Sequence, residues 1–326
     1  MRAVRFDRHG DYGELKLVTL ERPEPSPGEL LIRIVVAAVN PVDSTVRAGR
    51  FNGAKPPPMI PGQEAAGVVA GGGTRDCPDG TRVLIRGGFG TVRDGTWAEL
   101  VVARPEQVLL APEGLDDAAV AASGSGFLAA ALALDRASFV TGKSVLALGV
   151  GGAVGNAVYQ LARARGAAFV AGTAGSKAKA DLALSAGFTH VIDLSSESVQ
   201  EGVARLNGDR GVDIVVDSVG GNVTGAALST LADDGTLVAL GYVAGPRAEI
   251  NLPEMVRKRA RIQAVSLARM PAEIIRGLYE AMRDEFARGL IRPFVARSFP
   301  LEEAAQAQRH LDLDRPFGKV LLRVAD

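Results

Sequence analysis

Cysteine is almost absent from this 326-residue chain, with Cys77 the only one. A single thiol excludes an internal disulfide, a four-thiolate zinc knot and an iron–sulfur cluster held by the chain itself. Histidine is nearly as scarce: His9, His190 and His310 are scattered, and none stands in a ligand-spaced pair. Net charge is missing as well, since 37 Lys plus Arg balance 37 Asp plus Glu. No sequence-wide field therefore draws the chain to nucleic acid or to an anionic membrane. Long apolar runs are also lacking. The alanine-rich stretches are broken by Gly, Asp or Arg before they reach bilayer length, and Met1–Asp7 has no apolar run of signal-peptide type, which predicts a cytoplasmic protein.

What is present is ordinary globular material, 47% hydrophobic and 23% charged, in a chain long enough for two domains. Residues 1 to about 120 read as β-rich, with short apolar runs (Leu30–Val36, Gly67–Ala70, Arg82–Ile85, Trp97–Val102, Gln107–Ala111) between Gly, Pro and Asp. From Gly142 the pattern changes. Strands Ser144–Leu148, Ala168–Ala171, His190–Asp193, Val212–Asp217 and Thr236–Leu240 alternate with helices Val154–Arg165, Ser176–Ser185, Ser196–Leu206 and Asn222–Ala232. Such alternation predicts a doubly wound parallel sheet. Helix Pro271–Arg288 and strand Gly318–Val324 follow, and the last strand is expected to return to the first domain.

The segment from Ser144 to Gly166 is a buried strand, a glycine-rich turn and an amphipathic helix in succession. A dinucleotide site needs that order. Gly149 allows the tight turn, Gly152 lets backbone approach a pyrophosphate, and Gly155 lets the helix pack closely on the strand, while the helix N-terminus meets the phosphate charge. Gly151, Ala153 and Val154 complete the turn. The spacing is glycine at i, i+3 and i+6 and departs from G-x-G-x-x-G, so the context rather than the trio carries the reading. After the second strand, Ala171–Lys179 contains no acidic residue to bind an adenosine 2′-hydroxyl, but offers Thr173, Ser176, Lys177 and Lys179. Cations in a helix's first turn oppose its dipole, and their placement points to a phosphate, hence NADPH. Gly142-Lys143-Ser144 mimics the end of a phosphate loop but opens a strand, where that chemistry requires a helix.

In order and spacing, Asn40-Pro41-Val42-Asp43-Ser44, Ile60–Val69, Gly80–Val83, Gly95–Glu99, the glycine turn, Val216–Gly220 and Gly318-Lys319-Val320 resemble the medium-chain dehydrogenase/reductase superfamily. Within it, the chain looks like the zinc-free quinone oxidoreductase (zeta-crystallin-like) branch. The resemblance implies an α/β protein with a β-rich GroES-like catalytic domain (1–120, completed by 266–326). A Rossmann NADP-binding domain (121–265) joins it, with a cleft holding cofactor and substrate and a homodimeric assembly. Where zinc-dependent members carry a cysteine and a histidine, this chain has Pro41 and Gln63, so no metal site is expected. By the same resemblance Lys179 matches a lysine contacting the 2′-phosphate, and Asn40 an asparagine lining the nicotinamide pocket. Ser218 and Val219 fall in a matching motif of the cofactor domain. Three positions depart from the branch: Thr45, Leu128 and Leu194 stand where a tyrosine, a threonine and a tyrosine are usual.

These readings converge on hydride transfer from NADPH to a small quinone or enone in an apolar, water-poor setting. Asn40 is the candidate for orienting the nicotinamide or acceptor, and the Leu240–Gly241 backbone for stabilising developing negative charge. Ser44 and Thr45 are candidate proton relays, with a hydroxyl serving a local turn as the plainer alternative. Arg47 and Arg50 are either anion contacts or surface residues, and the glycine-rich Arg86–Thr96 loop either a lid or a connection. An enoyl-thioester reductase and a catalytically silent NADPH-binding protein remain as alternatives.

Overall fold

A computed structural model describes residues 1–325 as two compact units. The first comprises Met1–Gly124, Met270–Arg288 and residues 292–325; the second comprises Ser125–Arg269 with Gly289–Ile291.

In chain order, the first unit begins with β1 (Arg2–Arg5), β2 (Lys16–Thr19), β3 (Leu30–Val39), α1 (Pro41–Arg47), β4 (Glu64–Gly71), β5 (Arg82–Arg86), β6 (Leu100–Ala103), β7 (Val108–Leu110) and α2 (Asp117–Ala122). The second contains α3 (Ser125–Arg136), β8 (Ser144–Ala147), α4 (Ala153–Ala164), β9 (Phe169–Ala174), α5 (Lys177–Ser185), β10 (Val191–Asp193), α6 (Val199–Asn207), β11 (Val212–Asp217), α7 (Asn222–Leu228), β12 (Leu231–Ala239), α8 (Leu252–Lys258) and β13 (Arg261–Ala264). The chain then returns to the first unit with α9 (Ala272–Ala287), β14 (Val295–Pro300), α10 (Ala304–Arg309) and β15 (Lys319–Arg323).

Seven strands of the first unit form one sheet, ordered β14-β15-β3-β4-β5-β7 with β6 also on β3. β3 is buried along nearly its whole length because it has strands on either side. Its Ile32 and Ile34 pack with Val83, Ile85, Phe89 and Trp97 in a core whose large side chains each contribute about 1.5–3 kcal/mol by leaving water. The closing strand β15 does pair with β3, antiparallel, Val320 opposite Val39. That register carries Lys319 beside Asn40.

The second unit is a six-stranded, all-parallel sheet ordered β10-β9-β8-β11-β12-β13. The sequence predicts five of these strands; β13 is an additional edge. It also predicts helix through Ala232, but α7 stops at Leu228 and β12 starts at Leu231. The β11–β12 register shifts between Val212 opposite Leu231 and Ile214 opposite Thr236, and Asp234 sits at φ 62° within that irregularity. An Asp-Gly pair of this kind absorbs extra residues in a bulge rather than a helix. α3 has no counterpart among the predicted helices because residues from Gly126 to Leu134 are all buried, so it has no polar face to reveal a period.

Candidate functional site

Two groups of residues stand out, one in each unit. In the parallel-sheet unit, the chain leaves β8 through Gly149, whose φ of 71° suits glycine. The Gly149 N–H donates to Thr173 Oγ1 at 2.9 Å and the Val150 N–H to Thr173 O at 2.9 Å, so the end of β9 pins the turn. Gly151 is buried, Gly152 is exposed at the N-cap of α4, and Ala153 and Val154 form its first turn. A Cβ on Gly155 would lie 2.5 Å from the carbonyl oxygens of Leu148 and Gly149, so helix and strand approach as only glycine permits.

Beyond this turn lies a cavity of about 430 Å³, walled by Gly149, Thr173, Gly175, Leu194, Val219–Val223 and Ala244–Arg247. The size is that of a small-ligand site. Most of the wall is glycine or small side chain, which leaves backbone bare, and no carboxylate faces it. Asp217, 1% exposed, shapes one side: it accepts from the N–H groups of Val219 (2.8 Å) and Gly220 (2.9 Å) and from Thr224 Oγ1 (2.5 Å). Ser218 Oγ donates to Leu148 O at 3.1 Å, tying this segment back to the glycine turn's strand. A backbone-walled cavity with one Arg and no acid fits an anionic dinucleotide.

Other predicted residues are engaged within the chain. Lys177 is ion-paired with Asp181 at 2.7 Å, which accounts for a cation in the first turn of α5 without any phosphate. Ser176 Oγ accepts from the Lys179 N–H as the N-cap of that helix, and neither Ser176 nor Lys179 lies on the cavity wall. The Leu240 N–H donates to Asp217 O at 2.9 Å and is therefore already spent, while Gly241 packs where a Cβ would meet Ser218 O at 2.3 Å. Ser144 opens β8 and donates to Asp213, with Lys143 on the same carboxylate at 2.8 Å, as a strand start rather than a phosphate loop.

The second group is a buried polar network in the β-rich unit. Lys319 Nζ donates to Asn40 Oδ1 at 2.6 Å and to Glu64 Oε1 at 2.7 Å, and Asn40 Nδ2 donates to Glu64 Oε1 at 3.2 Å. Asp43 closes the capping turn of α1 by accepting from the Asn40 N–H at 2.7 Å, and also accepts from the Gly62 N–H at 3.3 Å. Asn40 is 6% exposed, Lys319 5%, and Asp43 and Glu64 0%. Burial pushes the Asp43 carboxyl up to about 7, against the pull of the Asn40 N–H and the Lys319 charge. Glu64 and Arg86 are opposite partners in the β4–β5 register, which puts both side chains on one face. The Arg86 Nε is shut from solvent without a hydrogen-bond partner; burial lowers its pKa and the Glu64 charge pushes it back. Ser123 and Tyr279 share a 2.9 Å hydrogen bond, and the phenol's pKa is raised by burial.

Of the proton-relay candidates, Ser44 is 6% exposed and its Oγ has no partner, whereas Thr45 Oγ1 donates to Pro41 O at 3.0 Å within its own helix. Arg47 is neither of the things expected of it. It is buried, donating to Gln308 Oε1 and Gly10 O beneath the ring of Tyr12, and is a structural tie. The Arg86–Thr96 loop is likewise anchored: Gly95 N donates to Ile60 O at 2.7 Å, Thr96 N to Gly62 O at 3.0 Å, and Asp94 pairs with Lys55 at 2.8 Å. Glu64 and Lys319 lie inside the Ile60–Val69 and Gly318-Lys319-Val320 motifs, but nothing local in the sequence signals that they meet.

Among the described residues, no group of three or more His, Cys, Asp or Glu side chains is arranged to hold a metal ion, and no helix is long and apolar enough to cross a membrane.

Known proteins resemble this chain along its length. The alcohol dehydrogenase GroES-like domain family matches residues 26–113 and the zinc-binding dehydrogenase family residues 153–284. The quinone oxidoreductase of Rattus norvegicus is 31% identical over 324 residues, 98% of this chain and 96% of its own length. The human synaptic vesicle membrane protein VAT-1 homolog-like is 31% identical over 348 residues, 99% of this chain and 81% of its own. Among solved structures, an NAD-dependent alcohol dehydrogenase superposes with a TM-score of 0.89 at 28% identity, covering 100% of both chains. A Pseudomonas syringae quinone oxidoreductase superposes with a TM-score of 0.86 at 26% identity, covering 99% of both. With both family domains in place and quinone oxidoreductases similar over nearly its whole length, the chain belongs to the medium-chain dehydrogenase/reductase superfamily, oxidoreductases that use a nicotinamide cofactor.

Proposed function

We propose that this protein is an NADPH-dependent, zinc-independent reductase of small quinones or α,β-unsaturated carbonyl compounds. The observation that carries the reading is the cavity beside the Gly149–Gly155 turn, walled by backbone and bearing a guanidinium but no carboxylate. NADH-type recognition calls for an acid on the ribose 2′-hydroxyl, and this wall offers none. When bound, the reduced cofactor supplies a hydride at its nicotinamide C4. Gly149, Gly151, Gly152, Ala153, Val154 and Gly155 form the phosphate-facing turn, with Thr173, Ser218 and Val219 holding its shape.

Zinc independence is supported by the donor set. Pro41 and Gln63 offer no thiolate or imidazole, and the buried cation beside Asn40 and Glu64 is the Lys319 ammonium. In this reading Asn40 is the acceptor or nicotinamide contact. Its Oδ1 accepts from Lys319 and one Nδ2 proton goes to Glu64, so the amide is held in a single orientation with its second Nδ2 proton remaining. Ser44, buried with its hydroxyl unpartnered, is the better proton-relay candidate, since Thr45 spends its proton inside α1.

The test is NADPH consumption with ortho-quinones, short enones and crotonyl thioesters, run with and without a zinc chelator. Turnover of a quinone or enone, indifferent to the chelator, is expected. Turnover confined to crotonyl thioesters would make the protein an enoyl-thioester reductase, and tight NADPH binding without any turnover a silent binder. Calorimetry showing no affinity for NADPH or NADH would end the proposal.

A further inference from the structure

The cavity in the parallel-sheet unit has one charged side chain on its wall, Arg247, from the segment that follows β12. Arg247 forms no ion pair or hydrogen bond with any described residue. The segment carrying it is nevertheless held in place. Gly220 and Gly245 form a β-bridge, the Ala244 N–H donates to Val219 O at 2.8 Å, and a Cβ on Gly220 would lie 2.6 Å from the Tyr242 Cα. A fixed backbone thus presents a free guanidinium to a cavity whose other wall includes Gly175, just past the end of β9, and Leu194, just past β10.

Those strand ends are where a parallel sheet of this order receives the adenosine half of a dinucleotide. The two lysines of α5 do not reach that wall, and the nearer ammonium to the N-cap, Lys177, is bound to Asp181. We propose that Arg247 recognises the 2′-phosphate of the cofactor and is the residue that sets its preference for the phosphorylated dinucleotide. This rests on the cofactor reading above. A guanidinium stays charged at any working pH, donates two parallel N–H bonds to a phosphate and stacks on a flat base, so one side chain can engage both the phosphate and the adenine.

The test is calorimetric titration of the intact protein with 2′,5′-ADP and with ADP, for wild type, Arg247→Lys, Arg247→Met and Lys179→Met. Wild type is expected to favour 2′,5′-ADP by roughly tenfold or more. Arg247→Met should remove most of that preference while changing ADP affinity by less than about threefold, with Arg247→Lys in between. The wild-type preference should also shrink as salt rises, and the Met variant's should not. Equal weakening of both ligands in Arg247→Met would assign the side chain to the adenosine 5′-phosphate that they share and overturn the inference. So would a preference that survives Arg247→Met but disappears in Lys179→Met, or a wild type that does not distinguish the two ligands. Wild-type protein that binds neither ligand, nor NADPH or NADH, would instead overturn the cofactor reading itself. Arg247 is exposed, so unchanged thermal unfolding of its variants is expected and separates lost recognition from lost fold.

Discussion

The two units handle polar groups in opposite ways. In the β-rich unit Asn40, Asp43, Glu64 and Lys319 are almost free of water and serve as one another's partners. In the parallel-sheet unit the cavity wall is mostly backbone, and its single cation has no partner among the described residues. A network that satisfies itself is rigid before anything binds, whereas a backbone wall is completed by its ligand. The first should therefore answer to stability measurements and the second to binding.

Lys319→Met attacks the contrast most directly. It leaves the Glu64 carboxylate, 0% exposed, without its ammonium, and is expected to cost about 3–5 kcal/mol in denaturant unfolding. Adding Glu64→Gln should return a large part of that loss, because the carboxylate left without the Lys319 ammonium is then itself gone. A single-variant loss below about 1 kcal/mol would mean that the network is not the self-contained element described.

Asp43 sharpens the same side through pH. Its carboxyl is raised from 3.8 to about 7 on folding, so the folded state favours the protonated form. The associated stability is fully present below about pH 4 and is lost as pH rises through about 7, with an upper bound of about 4 kcal/mol. Thermal unfolding of wild type and Asp43→Asn across that window should show the wild type losing stability with rising pH relative to the variant. Parallel profiles would remove Asp43 from the titrating network.

The cavity side is probed by two glycines. Gly155→Ala places a methyl 2.5 Å from two carbonyl oxygens that cannot yield, and should cost about 1–3 kcal/mol together with nucleotide affinity. Gly175→Ala meets nothing within 4 Å, so its stability should stay within about 0.5 kcal/mol of wild type. If Gly175→Ala unfolds as readily as Gly155→Ala, the wall at Gly175 is not open space.

Much of the parallel-sheet unit was legible in the sequence, because strands and amphipathic helices repeat with distinct periods and the glycine turn announces itself. α3, buried on all sides, and the short edge strand β13 have no such signature. Arg47 shows a different limit. As an isolated Arg after the Asn-Pro motif it has the sequence character of a surface residue, and only the folded chain buries it under Tyr12. Lys177 and Lys179 pointed toward a phosphate, yet the structure gives Lys177 to Asp181 and brings Arg247, from a loop without any pattern, to the cavity.

By itself the sequence determined the backbone demands: a positive φ at Gly149, the lack of room for a side chain at Gly155, and the alternation that makes a parallel sheet. Tertiary structure alone decided which distant side chains meet. Lys319 lies 279 residues from Asn40 and 255 from Glu64 along the chain, and they touch because β15 pairs with β3 and β3 with β4 in one register. Conformational demands act within a few residues and leave a local trace, whereas register is chosen by the packing of the whole sheet and leaves none.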